Sequence, residues 1–292
     1  MPVKFGLMAP YMQAPIEDGD YTRAFAKLAE DLGFESVWAV DHVVMCPDYA
    51  SQYPYHPSGR SPFHADVVQP DPLVWLGWAG AATTTLKLGT GILILPLRNP
   101  VVLAKTVATL DRLSGGRMLL GIGVGWVEEE AEAVGTDFAT RGARTDEAIL
   151  AMRALWQGEP TASFSGETVG FREVVSRPKP MRPEGVPILV GGHSRAAARR
   201  AGRLGDGFYP LGVFGPKLDE LIAVMRDAAV AQGRDPDVLE ITAATGLDPA
   251  ATDAFAAQGV DRVLVSPPTG DLEQLARSLE SFRRDVMARH AR

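Results

Sequence analysis

Val3-Lys4-Phe5-Gly6-Leu7-Met8-Ala9-Pro10-Tyr11 decides between two folds. Val3–Ala9 reads as a β-strand, and beyond it short apolar runs alternate with longer amphipathic stretches along the chain. Alternation of this kind builds a parallel sheet, either closed into a barrel or open and doubly wound. The open form usually declares itself with Gly-x-Gly-x-x-Gly after the first strand. Here the strand runs into Met8-Ala9-Pro10-Tyr11, with no glycine finger. The expected fold is therefore an α/β barrel, the (β/α)8 or TIM type.

The remaining elements follow from periodicity and capping. Thr22–Leu32 reads as a helix stopped by Gly33, and Ser36–Val40 as the second strand. Asp71–Thr84 and Asn99–Leu113 read as helices, each opened by a capping residue followed by proline. Between them Leu86–Leu95 is almost wholly apolar, as a strand covered on both faces should be. Arg117–Ile122 is the fourth strand and Arg144–Trp156 a helix. Ala162–Phe171 alternates like a hairpin around Ser165-Gly166, and Arg177–Pro183 is an extended linker. Strands then recur at Val186–Val190, Gly207–Pro210, Leu239–Thr245 and Arg262–Val265. Helices follow them at Ser194–Leu204, Pro216–Gln232, Pro249–Gln258 and Leu272–Met287. The sum is eight strands and eight helices in one domain over residues 1–292. Segments 41–70 and 126–185 are expected to be insertions in βα loops, on the rim where such barrels carry their active sites.

Composition excludes several classes. A chain of 292 residues with 46% hydrophobic and 22% charged residues can bury a large core without disulfides or metals. A formal net charge of −7 argues against a nucleic-acid binder. One cysteine, Cys46, cannot form an internal disulfide, and the five histidines show no HExxH, so no metal site is expected. The longest apolar run, Ile92–Leu97, is strand-length, so no membrane span is expected. The start of the chain is too short and too broken by Gly and Pro for a signal peptide. A cytoplasmic protein is expected.

Four stations could carry chemistry. Asp41-His42 falls where the second strand ends, and a histidine beside a carboxylate can move protons near neutral pH. It could equally be a loop cap and a packed ring. Thr90-Gly91-Ile92 lies inside the third strand, where a glycine marks a bulge, a close backbone approach or simple packing. Gly121-Ile122-Gly123-Val124-Gly125-Trp126 closes the fourth strand. It would admit a flat ring or a phosphate to the backbone, or it is a flexible loop start. Gly191-Gly192-His193-Ser194 turns into a helix N-terminus, a ready anion site, although Ser194 also suits a plain cap. Beyond it Arg195, Arg199 and Arg203 share one helix face, either solvated or serving an anionic tail.

In this order the four stations resemble the luciferase-like monooxygenase superfamily, and more closely its branch that uses the deazaflavin coenzyme F420. The likeness runs from about residue 3 to 267. It is carried by Phe34–His42, Leu88–Pro96, Arg98–Lys105, Leu110–Trp126, Val190–Gly192 and Ala201–Phe208. The resemblance implies a bacterial-luciferase-like barrel and a homodimer. It implies that His42, oriented by Asp41, handles a proton during hydride transfer to or from a small-molecule substrate. It implies a non-proline cis peptide at Gly91–Ile92 behind the cofactor ring, with Thr90, Gly123 and Gly125 beside it. Cofactor phosphate would lie at Gly191, Gly192 and Ser194, with Arg199 toward the tail. The alternative is an FMN-dependent monooxygenase fed by a partner reductase. Sugar-phosphate dehydrogenases of this family carry a glutamate where Trp126 stands and a tryptophan near Met45 and Cys46. Trp126, Met45 and Cys46 are expected in the substrate pocket, and Trp126 with the Tyr/Pro-rich loop around Tyr49, Tyr53 and Tyr55 suggests a less polar substrate.

Overall fold

Eight parallel strands close on themselves in the computed structural model, which describes residues 2–12 and 14–290. The ends of the expected 1–292 unit lie outside those residues. In chain order the strands are β1 (Lys4–Met8), β2 (Ser36–Ala39), β3 (Lys87–Thr90), β4 (Leu93–Ile94) and β5 (Met118–Gly123). An antiparallel hairpin, β6 (Ala162–Ser165) and β7 (Gly170–Val174), stands outside the barrel. The circuit resumes with β8 (Ile188–Gly191), β9 (Gly207–Tyr209), β10 (Glu240–Thr245) and β11 (Arg262–Val265). β11 pairs with β1, and β3 and β4 both pair with β5, so they are two halves of one barrel strand. The expected (β/α)8 barrel is what the chain forms.

The third strand departs from the unbroken run expected over Leu86–Leu95. It breaks at Gly91-Ile92, whose peptide bond is cis, and ends in a 3-10 turn over Leu95–Leu97. Pro96 has no N–H for a ladder, and the N–H of Ile94 donates to the Asp41 carboxylate at 2.9 Å. The expected caps are present: Asp71 accepts from the N–H of Leu73 and Val74, and Asn99 from Val101 and Val102. The helix expected from Arg144 begins at Arg141, and the last helix leaves α geometry after Phe282 for a π turn over Arg283–Met287. A short helix over Glu128–Ala133 was not expected. Among the described residues no helix is long and apolar enough to cross a membrane.

The barrel interior is organised around Trp38, which is fully buried and packs with Leu119, Leu189, Tyr209 and Leu264. Its Nε1–H donates to the Ser36 hydroxyl at 2.8 Å, so the buried donor is satisfied. Space for the indole comes from neighbouring strands. A Cβ on Gly6 would lie 2.6 Å from it, and one on Gly89 only 2.4 Å. Below Trp38, at the N-terminal ends of the strands, Arg262 is fully buried and closes the barrel floor. It donates to both oxygens of Glu35 at 3.0 and 3.1 Å and pairs with Glu240 at 3.0 Å. Lys87 also reaches Glu35, at 2.8 Å, and Lys4 pairs with Glu240. Burial alone would raise the Glu35 pKa, but Arg262 and Lys87 hold it down at about 2.

Candidate active site

A cavity of about 920 Å³ opens at the other end, over the C-terminal ends of the strands. That is the active-site face of such barrels and the size of a cofactor-plus-substrate site. β2 leads into it with Asp41 and His42, the β3–β4 break with Gly91 and Ile92, and β5 with Gly123, Gly125 and Trp126. β8 contributes Gly191, Gly192 and Ser194. The structure thus brings ten of the sequence-expected residues to one cavity.

Four others do not line it. Thr90 is buried, and its hydroxyl donates to the Gly121 carbonyl at 2.6 Å, tying β3 to β5. Met45 and Cys46 sit half-buried in the loop after β2, away from the cavity wall. Arg199 points to solvent. The helix Arg195–Leu204 buries Ala197, Ala198, Ala201 and Gly202, so the face carrying Arg195, Arg199 and Arg203 is turned outward. Arg195 pairs there with Glu220, and Arg203 with Asp146. The arginine of this helix that lines the cavity is Arg200, one residue on, anchored by Asp146 and by the Gly142 carbonyl.

His42 is held by a partner other than Asp41. Its Nδ1 lies 2.8 Å from Oε2 of Glu130, whose side chain is 1% exposed. The other Glu130 oxygen accepts from the N–H of Val43 at 2.5 Å and of Val44 at 3.3 Å. Asp41 instead accepts from Arg98 at 2.8 Å and from the Ile94 N–H, so it secures the broken third strand. Burial drives the Asp41 pKa up, against the pull of Arg98. A carboxylate on Nδ1 places that ring proton between the two and leaves Nε2 as the nitrogen free to act. Glu129, next in the same short helix, accepts from the N–H of Ala50 and from Ser51, pinning the far part of the loop.

The glycines after β5 and β8 serve the chain before they serve any ligand. A Cβ on Gly123 would lie 2.5 Å from the Ile92 side chain, and one on Gly191 2.6 Å. Ile92 is thereby seated as an apolar ledge in the cavity. Gly192 has φ +121°, which side-chain-bearing residues rarely adopt. Ser194 caps the next helix by accepting from the Ala197 N–H at 3.1 Å, and it also lines the cavity.

Above the ledge runs a chain of aromatic contacts. Trp126 meets His42 edge-on with centroids 5.9 Å apart, and Tyr53 at 5.1 Å. Tyr53 meets Tyr55 at 5.4 Å, and Tyr55 meets His193 at 4.8 Å. Two buried nitrogens at the cavity lack a partner among the described residues: Nδ1 of His193 and Nε of Arg141. Burial lowers the His193 pKa, so the ring is neutral at pH 7. Arg141 lies over the Phe138 ring at 3.8 Å and donates to its carbonyl. Sequence reading missed Glu130, Arg141 and Arg200. The signals available were the Glu128-Glu129-Glu130 run and the arginines at the start of the segment after it.

Comparison with known proteins agrees with the barrel fold. The family model described as luciferase-like monooxygenase matches residues 3–292. An uncharacterized protein of Mycobacterium tuberculosis is 33% identical over 90% of this chain and 93% of its own length. An F420-dependent glucose-6-phosphate dehydrogenase of Kineococcus radiotolerans is 35% identical over 82% of this chain and 66% of its own. Among solved structures, an F420-dependent secondary alcohol dehydrogenase in complex with an F420-acetone adduct superposes with a TM-score of 0.79 at 20% identity over the whole of both chains. A monooxygenase from Streptomyces bottropensis gives 0.77 at 24%, over 99% of this chain and all of its own, and at these identities both show the fold alone. On the extent of the family match and the identity to full-length relatives, the chain belongs to the luciferase-like monooxygenase family of oxidoreductases.

Proposed function

We propose that the chain is an F420-dependent oxidoreductase that moves a hydride between the deazaflavin and a small organic substrate carrying a carbonyl, alcohol or activated double bond. The observation that carries this is His42, held through Nδ1 by a buried carboxylate at the mouth of the barrel, with Nε2 left for chemistry. A bound deazaflavin supplies the hydride donor or acceptor. When an alcohol forms, the carbonyl carbon gains the hydride and the carbonyl oxygen takes a proton from His42; in reverse, His42 takes the proton. Glu130 fixes the ring and offsets the charge of the imidazolium.

The unpartnered Arg141 Nε and His193 Nδ1 fit a cofactor with phosphate and polar groups. Gly192, the helix N-terminus at Ser194, Arg200 and Arg141 would hold its phosphate and acidic tail. Ile92 and the Gly91–Ile92 peptide would back its ring. The named activity of the Kineococcus relative supports the deazaflavin. The acting unit is taken as residues 1–292, as a cytoplasmic homodimer; a monomer in sedimentation at high micromolar concentration would remove the dimer.

Titration of the purified protein with F420 and with FMN tests the reading. Binding of F420 well ahead of FMN is expected. FMN binding alone would replace this proposal with the monooxygenase that depends on a partner reductase.

A further inference from the structure

We infer that the His42 side of the cavity takes an uncharged, flat, conjugated ketone, or the alcohol made from it; the inference rests on the hydride-transfer reading above. Charge in the cavity is segregated. Among the described lining residues the permanent cations are Arg141 and Arg200. Both belong to the β8 side, where Arg200 reaches the carbonyl of Gly142, the residue after Arg141. Around His42 the charged lining groups are carboxylates: Asp41, Glu128 and Glu129, with Glu130 behind the ring. Asp41 is already neutralised by Arg98. A substrate phosphate or carboxylate there would face negative groups with no cation to meet it, a loss magnified by partial exclusion of water.

The walls favour π surface. Trp126, Tyr53 and Tyr55 form a continuous edge-to-face series between His42 and His193, and Ile92 offers an apolar ledge among the strand ends. A conjugated ring laid against this wall meets aromatic faces and edges with which it can form stabilising ring pairs. Burial pushes the Tyr55 hydroxyl up to about 12, so it remains a neutral donor. A carbonyl oxygen on such a ring can reach the Nε2 that Glu130 leaves free.

Three probes on the unmodified protein test this by equilibrium dialysis: 2-acetylnaphthalene, 6-acetyl-2-naphthoate and glucose 6-phosphate. The neutral ketone is expected to bind at least ~10-fold more tightly than its carboxylate analogue, with the ratio narrowing as salt is raised. Glucose 6-phosphate is expected to bind weakest. Trp126→Ala should weaken the neutral ketone ~10-fold, about the worth of one aromatic contact, and Trp126→Phe should recover most of the loss. Equal or tighter binding of either anion, or an unchanged affinity in a folded Trp126→Ala, overturns the inference. So does competition between the ketone and a saturating cofactor, because the ketone would then occupy the ring site. Failure of both cofactors to bind would remove the hydride reading alone, since the probe ranking is read without cofactor.

Discussion

Arg262 and Arg141 both carry guanidinium nitrogens out of reach of water, at opposite ends of one barrel. Arg262, at the N-terminal end, is bonded to Glu35, Glu240 and Thr242. Arg141, at the C-terminal end, donates to one carbonyl, stacks on one ring and keeps a buried Nε unpaired. A buried polar group without a partner costs stability, so the two ends are built for different purposes. At one end charge closes the fold; at the other, hydrogen-bonding capacity is kept in reserve for a molecule that arrives later.

The largest expected effect breaks the working end without touching the closed one. His42→Ala should lower turnover ~100- to 10,000-fold and leave the urea unfolding midpoint nearly unchanged; full turnover in the variant would return His42 to a packing role. Glu130→Gln should lower turnover by about tenfold or more, because an amide cannot support the imidazolium as a carboxylate does.

Next comes the closed end. Arg262→Met leaves the half-buried Glu35 and Glu240 without their shared partner, with only Lys87 and Lys4 beside them, and should cost about 1–3 kcal/mol, read as a lower urea midpoint with turnover per folded molecule kept. The acid limb gives the sign. Glu35 sits at about 2 in the fold against an ordinary value of 4.5. Its stabilisation is therefore complete above about pH 4.5 and is lost as pH falls toward 2. In Arg262→Met that loss should flatten. An unchanged acid profile would mean that Lys87 alone holds Glu35 down.

Smaller effects sharpen the contrast within the cavity. Gly192→Val forces a β-branched residue to φ +121°, with its Cβ 3.0 Å from Ala197. The strain should cost about 1–3 kcal/mol and weaken cofactor binding by distorting the turn; unchanged affinity would place the phosphate elsewhere. Arg200→Glu should weaken F420 by about tenfold. Arg199→Glu, on the exposed face, should stay within about 0.5 kcal/mol in both stability and binding. Equal effects at the two positions would mean that the helix presents a different face to the cofactor.

The barrel was legible because its signals are local. A capping residue followed by proline at Asp71-Pro72 and Asn99-Pro100 fixes a helix start within a few residues of sequence. Glu130 was not legible as the partner of His42, because 88 positions separate them and a run of three glutamates reads as a solvated helix end. Asp41, adjacent in sequence, was the natural candidate, but consecutive residues leaving a strand point different ways. The arginine helix failed by one residue. Spacing groups Arg195, Arg199 and Arg203 correctly but does not say which way the group faces, and at 100° per residue Arg200 takes the inward turn. Arg262 was hidden inside a strand whose neighbours are apolar. The glycines announced a close approach; that the approaching groups are Trp38 and Ile92 required the fold.

Trp38 carries a consequence for how this chain can change. One indole occupies room contributed by Gly6 and Gly89 on two other strands. A methyl group at either glycine collides with it, and a smaller residue at position 38 leaves a void ringed by Leu119, Leu189 and Leu264. Each single step is harmful, whereas a paired step at Gly89, enlarged as the indole shrinks, keeps the volume; at Gly6 a Cβ would also meet Leu264 at 2.6 Å. These positions therefore constrain one another sterically. Substitutions in the exposed loops meet no such constraint, whereas this trio sits directly beneath the floor of the cavity.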